Sequence, residues 1–529
     1  MKRITLMLLL VALSLTVGTQ IQGMTSLSSY DPYPLYSSIY PYALLATHYK
    51  EALQHHKTKY LNDRVRVSIS PFSQSADRGR NSYRNRVPLG DIHGRTNMIA
   101  LFYDSYLKTQ LEELLAFEIT EGCAEPITNP IESDPNKEFG FFSIPLQYKK
   151  RGARFEAEML LFKGCGDAIG FTIKAGVAEV KQSDIQFNDL TPQALGIACP
   201  VATKGCADPG TNTCAVPNPQ DPTGVSPVYM TADAIAAPSL NCPYPPENTI
   251  YPPQRFKPCC DSTLCLTYDC TCKQEVIEHI MRKHDTIAQF LGLDYNDYQK
   301  LSAEDLRLGL YWRHVYNVVN EENTYARLLV TPFVEAEVAI PFANQINTHH
   351  MFAAPLGNNH HASFGAMGGF TFDFLDSIDL TISGAYTTFL KQQYSHYHLP
   401  TNTLEGGIYP YDANVTIKPA GTWNVGVGIH AEHFLANLSM WAEYMFISHG
   451  TDDITICQPF IPEGSDYYTQ GFLIKLAESR TQWEAQLFNI GLNYDISDHI
   501  VLGFLWQAPV WQRNGYQSGT VLGTITVCY

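Results

Sequence analysis

An all-β fold, a closed antiparallel barrel of about twelve strands, is predicted by three features of the 529-residue sequence. The final stretch alternates strictly: Val521, Gly523, Ile525, Val527 and Tyr529 share one face, and Leu522, Thr524, Thr526 and Cys528 the other. The same two-residue period recurs along most of the chain, with apolar side chains facing one way and charges the other. Beyond the first 23 residues nothing reaches the apolar length of about 18 residues that a spanning helix needs, so any membrane span must be built from strands. A free apolar edge invites aggregation, whereas the last strand of a barrel pairs with the first.

Residues 1–23 read as a secretory signal peptide, with Lys2 and Arg3 before the apolar run Ile4 to Val17 and Gly18 or Gly23 at the cut. A retained N-terminal anchor is the alternative. Residues 24–62 form a Tyr- and Pro-rich N-terminal segment, with Leu45, Tyr49, Leu53 and His56 at helical spacing. Residues 63–186 read as the first part of the barrel. Val65, Val67 and Ile69 mark its first strand, and 73–137 a loop with one helix near Ser105 to Phe117, either an external loop or a plug. Phe142, Ile144, Leu146 and Tyr148 share a face in the next strand. An Arg151-Gly152 turn then leads to a strand where Ala153, Phe155, Ala157, Met159 and Leu161 oppose Arg154, Glu156 and Glu158. Ile169, Phe171, Ile173, Ala175 and Val177 oppose Thr172 and Lys174 in another.

Composition changes at Thr191. Between there and Cys272 lie 9 of the 13 cysteines and 14 of the 32 prolines, a density that leaves no strand or helix of useful length. Residues 187–322 therefore read as a disulfide-rich insert closed by two helices. One runs from Gln274 to Leu291 and stops at Gly292; the other runs from a Ser302-Ala-Glu-Asp305 capping box to Val319. Residues 323–529 return to strands. Val334, Ala336, Val338 and Ile340 alternate with Glu335 and Glu337, and Phe370, Phe372 and Phe374 with Asp373. Val425, Val427 and Ile429 oppose Glu432, Met440, Ala442 and Tyr444 oppose Glu443, and a strand carrying Glu484 slips register near Asn489. Short turns alternate with longer loops at 392–414, 450–479 and 509–518.

The acidic residues Glu156, Glu158, Glu335, Glu337, Asp373, Glu432, Glu443 and Glu484 fall on the polar faces, accompanied by Arg154 and Lys174. As lumen-facing residues they would favour cations; the alternative is a wet interior that satisfies itself by local ion pairs. His349-His350, His360-His361, His396 and His398 cluster around one connection. Imidazoles suit a transition metal, yet no cysteine or carboxylate completes a fixed spacing, so they read as loop decoration and no metal is expected. Cys259, Cys260, Cys265, Cys270 and Cys272 match no zinc spacing. With Cys199, Cys206, Cys214 and Cys242, and with Cys123 and Cys165 as a further pair across neighbouring loops, they read as disulfide candidates in an oxidising compartment. Thirteen is odd, so at least one thiol stays free or joins another chain, with Cys528 a candidate buried thiol. No nucleophile elbow, metalloprotease, P-loop or dinucleotide glycine pattern is present, so neither an enzyme nor a cofactor is expected.

Removing Lys2 and Arg3 from the 36 basic residues leaves 34 against 52 acidic ones, a charge near −18 that argues against nucleic acid as a partner. The terminal aromatic Tyr529 on alternating Val521, Ile525 and Val527 resembles the assembly signal of bacterial outer-membrane β-barrel proteins. That resemblance implies a cell outer membrane location, recognition by barrel-assembly machinery, contact with outer-membrane lipid, and a porin-like channel for passive diffusion of small solutes. A second reading is a structural or surface-interaction envelope protein. The barrel would then be its anchor, and the cysteine-rich insert would act, including through disulfides to other copies of itself. In cysteine content the chain resembles chlamydial-type major outer-membrane proteins; no residue motif matches them and no site is carried over. A soluble secreted all-β protein is the third reading.

Overall fold

A computed structural model describes residues 65–115, 140–164, 166–190, 213–217, 227–231, 280, 282–318, 328–374, 378–435, 437–497 and 499–529. Residues 1–23 and 24–62, expected to be a signal peptide and an N-terminal segment, and most of 187–322, expected to be an insert, lie outside them. The described chain falls into two compact units, and twelve antiparallel strands close on themselves in the larger. They are β1 (Val65–Ala76), β2 (Gln147–Gly164), β3 (Asp167–Ser183), β4 (Leu306–His314), β5 (Leu328–Ile340) and β6 (Ser363–Phe374). The rest are β7 (Ile378–Phe389), β8 (Thr422–Leu435), β9 (Leu438–His449), β10 (Trp483–Ser497), β11 (Ile500–Arg513) and β12 (Gly519–Cys528). Each pairs with its neighbour in the chain, and β12 pairs with β1 through rungs such as Val67 with Val527 and Ile69 with Ile525.

Exposure decides between a barrel in lipid and a soluble sandwich. A sandwich buries its apolar faces against a second sheet. Here the outward side chains stay open: Ile429 is 55% exposed, Phe370 52%, Ile525 52% and Val427 43%. Apolar rows this extensive are not tolerated in water and match the lipid-facing band of a membrane barrel. Among the described residues no helix is long and apolar enough to cross a membrane. At one rim five connections are long, leaving the wall after Ala76, Ser183, Ile340, Phe389 and His449; at the other rim strands follow one another closely, Ile378 after Phe374 and Ile500 after Ser497, and Val65 and Tyr529 lie there too. Long loops outside and short turns inside is the outer-membrane arrangement.

The count of twelve conceals two corrections that cancel. No turn forms at Arg151-Gly152: β2 runs unbroken from Gln147 to Gly164, while Phe141–Ser143 is a separate short strand outside the barrel wall. Gly152 serves close approach: a Cβ there would stand 2.2 Å from the Val177 carbonyl of β3. The true turn follows Gly164, where Gly166 takes φ +89. Residues 302–318 are not a helix. Leu306, Leu308, Leu310 and Trp312 alternate with Arg307, Gly309, Tyr311 and Arg313, and this two-residue period makes β4 inside the range read as insert. The acids of the supposed capping box bind elsewhere, Glu304 to Arg154 and Asp305 to loop amides.

Other loops carry more structure than their composition indicates. β1 extends to Ala76, and Arg78–Arg80 pairs with Arg86–Pro88 in a ribbon followed by a 3-10 turn at Leu89–Asp91. Gln392–Leu399, Tyr411–Lys418 and Asp453–Pro459 form a three-stranded sheet within the connections that follow β7 and β9. Within the insert, Thr213–Pro217 pairs with Pro227–Thr231. The register slip expected near Asn489 is present just before it, as an irregularity of the ladder to β11 that leaves the parity of β10 unchanged. Trp483, Ala485 and Leu487 join an inward apolar cluster with Met445 and Ile447, and the ladder shifts at Gln486/Leu487.

In the smaller unit α1 (Ser105–Leu115) starts after Asp104, whose Oδ1 accepts the Leu107 amide at 2.9 Å as an N-cap. Leu107 and Leu111 are buried. Helical residues 282–290 stop at Gly292, where φ is +69 and the Leu293 amide donates to the Ala288 carbonyl at 2.7 Å.

Candidate functional site inside the barrel

The pleat that sends Val and Phe outward sends every second residue of the same strands to the enclosed face. On β2 to β5 that face carries charge. Lys174 Nζ lies 2.9 Å from Glu337 Oε2 and 3.4 Å from Glu335 Oε1, and Arg307 approaches Glu337 at 3.8 Å. Glu156 is the cross-strand partner of Lys174. Arg66 of β1 reaches Glu158 at 3.1 Å, and the Tyr311 hydroxyl donates to the other Glu158 oxygen. Arg154 grips Glu304 through two nitrogens, with Lys150 at 3.1 Å from the same carboxylate. Gly309 makes this crowding possible, because a Cβ there would stand 2.3 Å from Thr172 Oγ1 and 2.8 Å from Glu335 Oε1.

The remaining predicted residues divide. Asp373 is buried on the enclosed face opposite Asp379, which His430 approaches at 3.4 Å. Glu443 is buried and accepts a bond from Asn489 Nδ2 at 2.9 Å, and Gln507 in turn donates to Asn489. Glu484 is a correction: it shares the outward parity of Leu492 and Tyr494 and pairs with Arg513 at 3.4 Å, because Trp483 and Ala485 take the inward positions. The Glu432 side chain lies outside the described residues. Arg66, Lys150, Glu304, Arg307, Tyr311 and Asp379 complete these groups and were not singled out from sequence. Arg66 and Lys150 were legible, since each continues the parity of a polar face.

Above the charged belt the enclosed face turns apolar and is filled by chain. Phe72, Tyr148, Val180, Trp441, Leu505 and Leu522 point inward from the barrel wall and pack on Leu89, Ile92, Ala343, Ile346, Ala353 and Leu356 from two connections. Asp91 moors the first by accepting the Ile144 amide at 2.8 Å. Asp305 moors the second, accepting the amides of Ala343 at 3.2 Å and Asn358 at 2.6 Å. Burial inside the barrel wall makes these segments a stopper. The plug lies in residues 89–92, inside the 73–137 range that could be a plug or an external loop, and in 343–356, outside that range.

The histidines are fixed by neighbouring groups in the long-loop region. His396 Nδ1 contacts Asp412 at 2.7 Å, His398 Nδ1 the Tyr409 carbonyl at 2.9 Å, and His361 bridges the Leu390 carbonyl and the Tyr394 hydroxyl at 2.8 Å each. Burial lowers His361 and His398 to about 4, so both are neutral near pH 7. Among the described residues no group of three His, Cys, Asp or Glu side chains is arranged to hold a metal ion. Cys528 is a buried free thiol and Cys457 an exposed one. The disulfide candidates' side chains lie outside the described residues.

A closed twelve-stranded barrel with apolar outer rows, tight turns on one rim and long connections on the other is an outer-membrane β-barrel, and its place is the cell outer membrane. No protein-family model matches the chain, and no curated protein matches it in sequence. Among solved structures it is similar to an outer membrane channel from Pseudomonas putida F1, at 6% identity over 88% of this chain and 96% of that one, with a TM-score of 0.41. It is also similar to the transport unit of the autotransporter AIDA-I from Escherichia coli, at 7% identity over 92% and 97%, with a TM-score of 0.29. A Pseudomonas aeruginosa FadL homologue gives 7% identity over 89% and 90%, with a TM-score of 0.26. Likeness at that level carries no functional argument, so the class rests on the barrel's own geometry.

Proposed function

We propose that this barrel is a stoppered, porin-like channel for passive diffusion of small solutes, with a bias toward cations. The observation that supports this reading is the belt of charged side chains on β2 to β5, beneath two connections folded into the mouth. A barrel serving only as an anchor has no need of a separate stopper. Solutes would pass when residues 343–356 swing away from Phe72, Tyr148 and Leu522. Acidic groups on the enclosed face then favour cations. Barrel-assembly machinery and outer-membrane lipid are the partners this reading implies. Planar-bilayer recording on the refolded chain tests it. Wild type should open rarely, and Ile346→Asp, which spoils the apolar seat of the stopper, should raise open probability and show a cation-selective reversal potential. Silence from both, in protein that still shows heat-modifiable gel mobility, sinks the channel.

A second reading has its own support: the belt is tightly buried, with Tyr311 and Glu337 each only 2% exposed, as a structural anchor requires. The insert would then act at the surface, joining copies through disulfides. A high-mass ladder on non-reducing gels of whole cells, abolished by Cys-to-Ser changes in the insert, would favour it. Conductance that persists unchanged in reductant, from a protein that runs as a monomer or small oligomer, favours the channel.

A further inference from the structure

We propose that the outer surface of β1 to β3, at the rim with the long connections, is a binding site for a phosphate-bearing lipid headgroup of the outer leaflet. The chain carries 52 acidic against 36 basic residues, so a concentration of cations on one patch calls for a reason. Ascending the outside of β2, the apolar series Met159, Phe155 and Ala153 gives way to Arg151 and then Lys149. On β3 the corresponding series ends at Val177 and continues with Glu179 and Lys181. The ladder sets Lys149 directly opposite Lys181, and Arg151 opposite Glu179. Glu179 is engaged by Arg151 and Gln299 and also feels Lys181, so one carboxylate stands against three cations and the patch keeps a positive excess. Ser73 and Ser75 of β1 stand beside Arg151 and Lys149, so hydroxyl donors border the cations.

The strip above repeats the pattern. In the ribbon that follows β1, Arg80 lies directly opposite Arg86. Arg84 places its guanidinium 4.5 Å above the ring of Trp511, on the outward parity of β11. Like charges directly opposite in a ladder are destabilising, and two such pairs on adjoining pieces of one rim are relieved by an anion. The far side of the same rim differs. There the outward residues at the strand ends are Ile340, Phe364, Tyr386 and Trp423, all suited to acyl chain and interface.

Height identifies the anion as a lipid's. Phe155 and Val177, 40% and 43% exposed, belong to the apolar band, and Lys149 and Lys181 follow within a few rungs on the same faces. At roughly 3.3 Å per residue, a lysine there reaches headgroup phosphates while acyl chains lie along the apolar rows below. This inference rests on the membrane barrel alone and is independent of conductance.

Full-length protein refolded in detergent provides the test, with bisphosphorylated lipid A as probe, its dephosphorylated form as comparison, and binding followed by native mass spectrometry in chelator. Wild type should prefer the phosphorylated form by tenfold or more. At about 1 kcal/mol for each cation beside an anionic surface, Lys149→Gln with Lys181→Gln should weaken it roughly thirtyfold. Lys163→Gln, at the opposite rim, should leave binding unchanged, and both substitutions replace surface residues, so heat-modifiable mobility should persist. Equal binding of the two lipid forms, or an unaffected double variant, would overturn the proposal. So would an equal loss in Lys163→Gln, or displacement by millimolar inorganic phosphate, which would make the ligand a soluble anion.

Discussion

Lys174 and Glu337 form an ion pair of 2.9 Å on the enclosed face of the barrel, and Glu335 shares the same ammonium at 3.4 Å. Removing one partner of a buried pair leaves charge without compensation, which typically costs about 3 to 5 kcal/mol. Lys174→Met should therefore lower the urea midpoint of the refolded barrel strongly. Adding Glu335→Leu and Glu337→Leu should recover most of the loss. A neutral Lys174→Met would show that water reaches these carboxylates.

The two faces of β8 should respond differently to substitution. Val427 faces lipid, where arginine near the midplane costs about 2 to 4 kcal/mol. Gly428 faces inward, and an added Cβ would meet the Ala442 carbonyl at 3.6 Å, ordinary contact distance. Val427→Arg should impair folding into vesicles and Gly428→Ser should not; equal refolding yields would mean the faces are assigned backwards.

The seam between β1 and β12 should be needed for assembly. The Tyr529 amide donates to the Val65 carbonyl at 2.9 Å and the Val65 amide to the Tyr529 carbonyl at 3.2 Å. Deleting Val527 to Tyr529 also removes the rungs to Val67 and Arg66. Cell fractionation should find less protein in the outer membrane, with Tyr529→Ser intermediate. Undiminished insertion of the deletion variant would rule out a role for this seam in assembly.

Glu405, in the connection between β7 and β8, gives a pH dependence. Burial pushes its carboxyl up to about 7, against hydrogen bonds from Asn402 and Thr401 and the nearby Arg480. A carboxyl that holds its proton more tightly when folded stabilises the loop fully below about 4.5, and that contribution is lost as pH rises through about 7. Hydrogen exchange of residues 401–409, corrected for intrinsic rates, should accelerate between pH 5.5 and 8 in wild type and stay level in Glu405→Gln. A level wild-type profile would refute the assignment.

Parity was the legible part of this chain. Where a strand alternates without interruption, as at Val425 to Ile429 or Val334 to Ile340, one side chain fixes the facing of all the others. The misreadings share a cause: a local signal outweighed the longer period. Gly152 resembles a turn residue, yet its missing Cβ admits the neighbouring strand. Ser302 to Asp305 resembles a helix start, and only the alternation from Leu306 onward contradicts it. At Trp483 to Leu487 the enclosed face itself becomes apolar, so hydrophobicity no longer reports which side meets lipid, and Glu484 was assigned inward. The stopper was less accessible still, because Leu89, Ile346 and Leu356 acquire their neighbours only when the wall has closed.

Every pairing in the wall but one joins strands consecutive along the chain. The exception brings Arg66 against Cys528, 462 positions apart. Closing a flexible loop of that length costs on the order of 5 kcal/mol of chain entropy if the ends must find each other unaided. Hairpins that zip one after another shorten that search, because each added strand curls the growing sheet and carries β12 toward β1. The seam is then the last piece of the wall to form, and until it does the sheet has two open edges. Its kinetics should resemble those of a ring closing, with a long-lived curved sheet before a single committing step, and the burial of the Cys528 thiol would time that step.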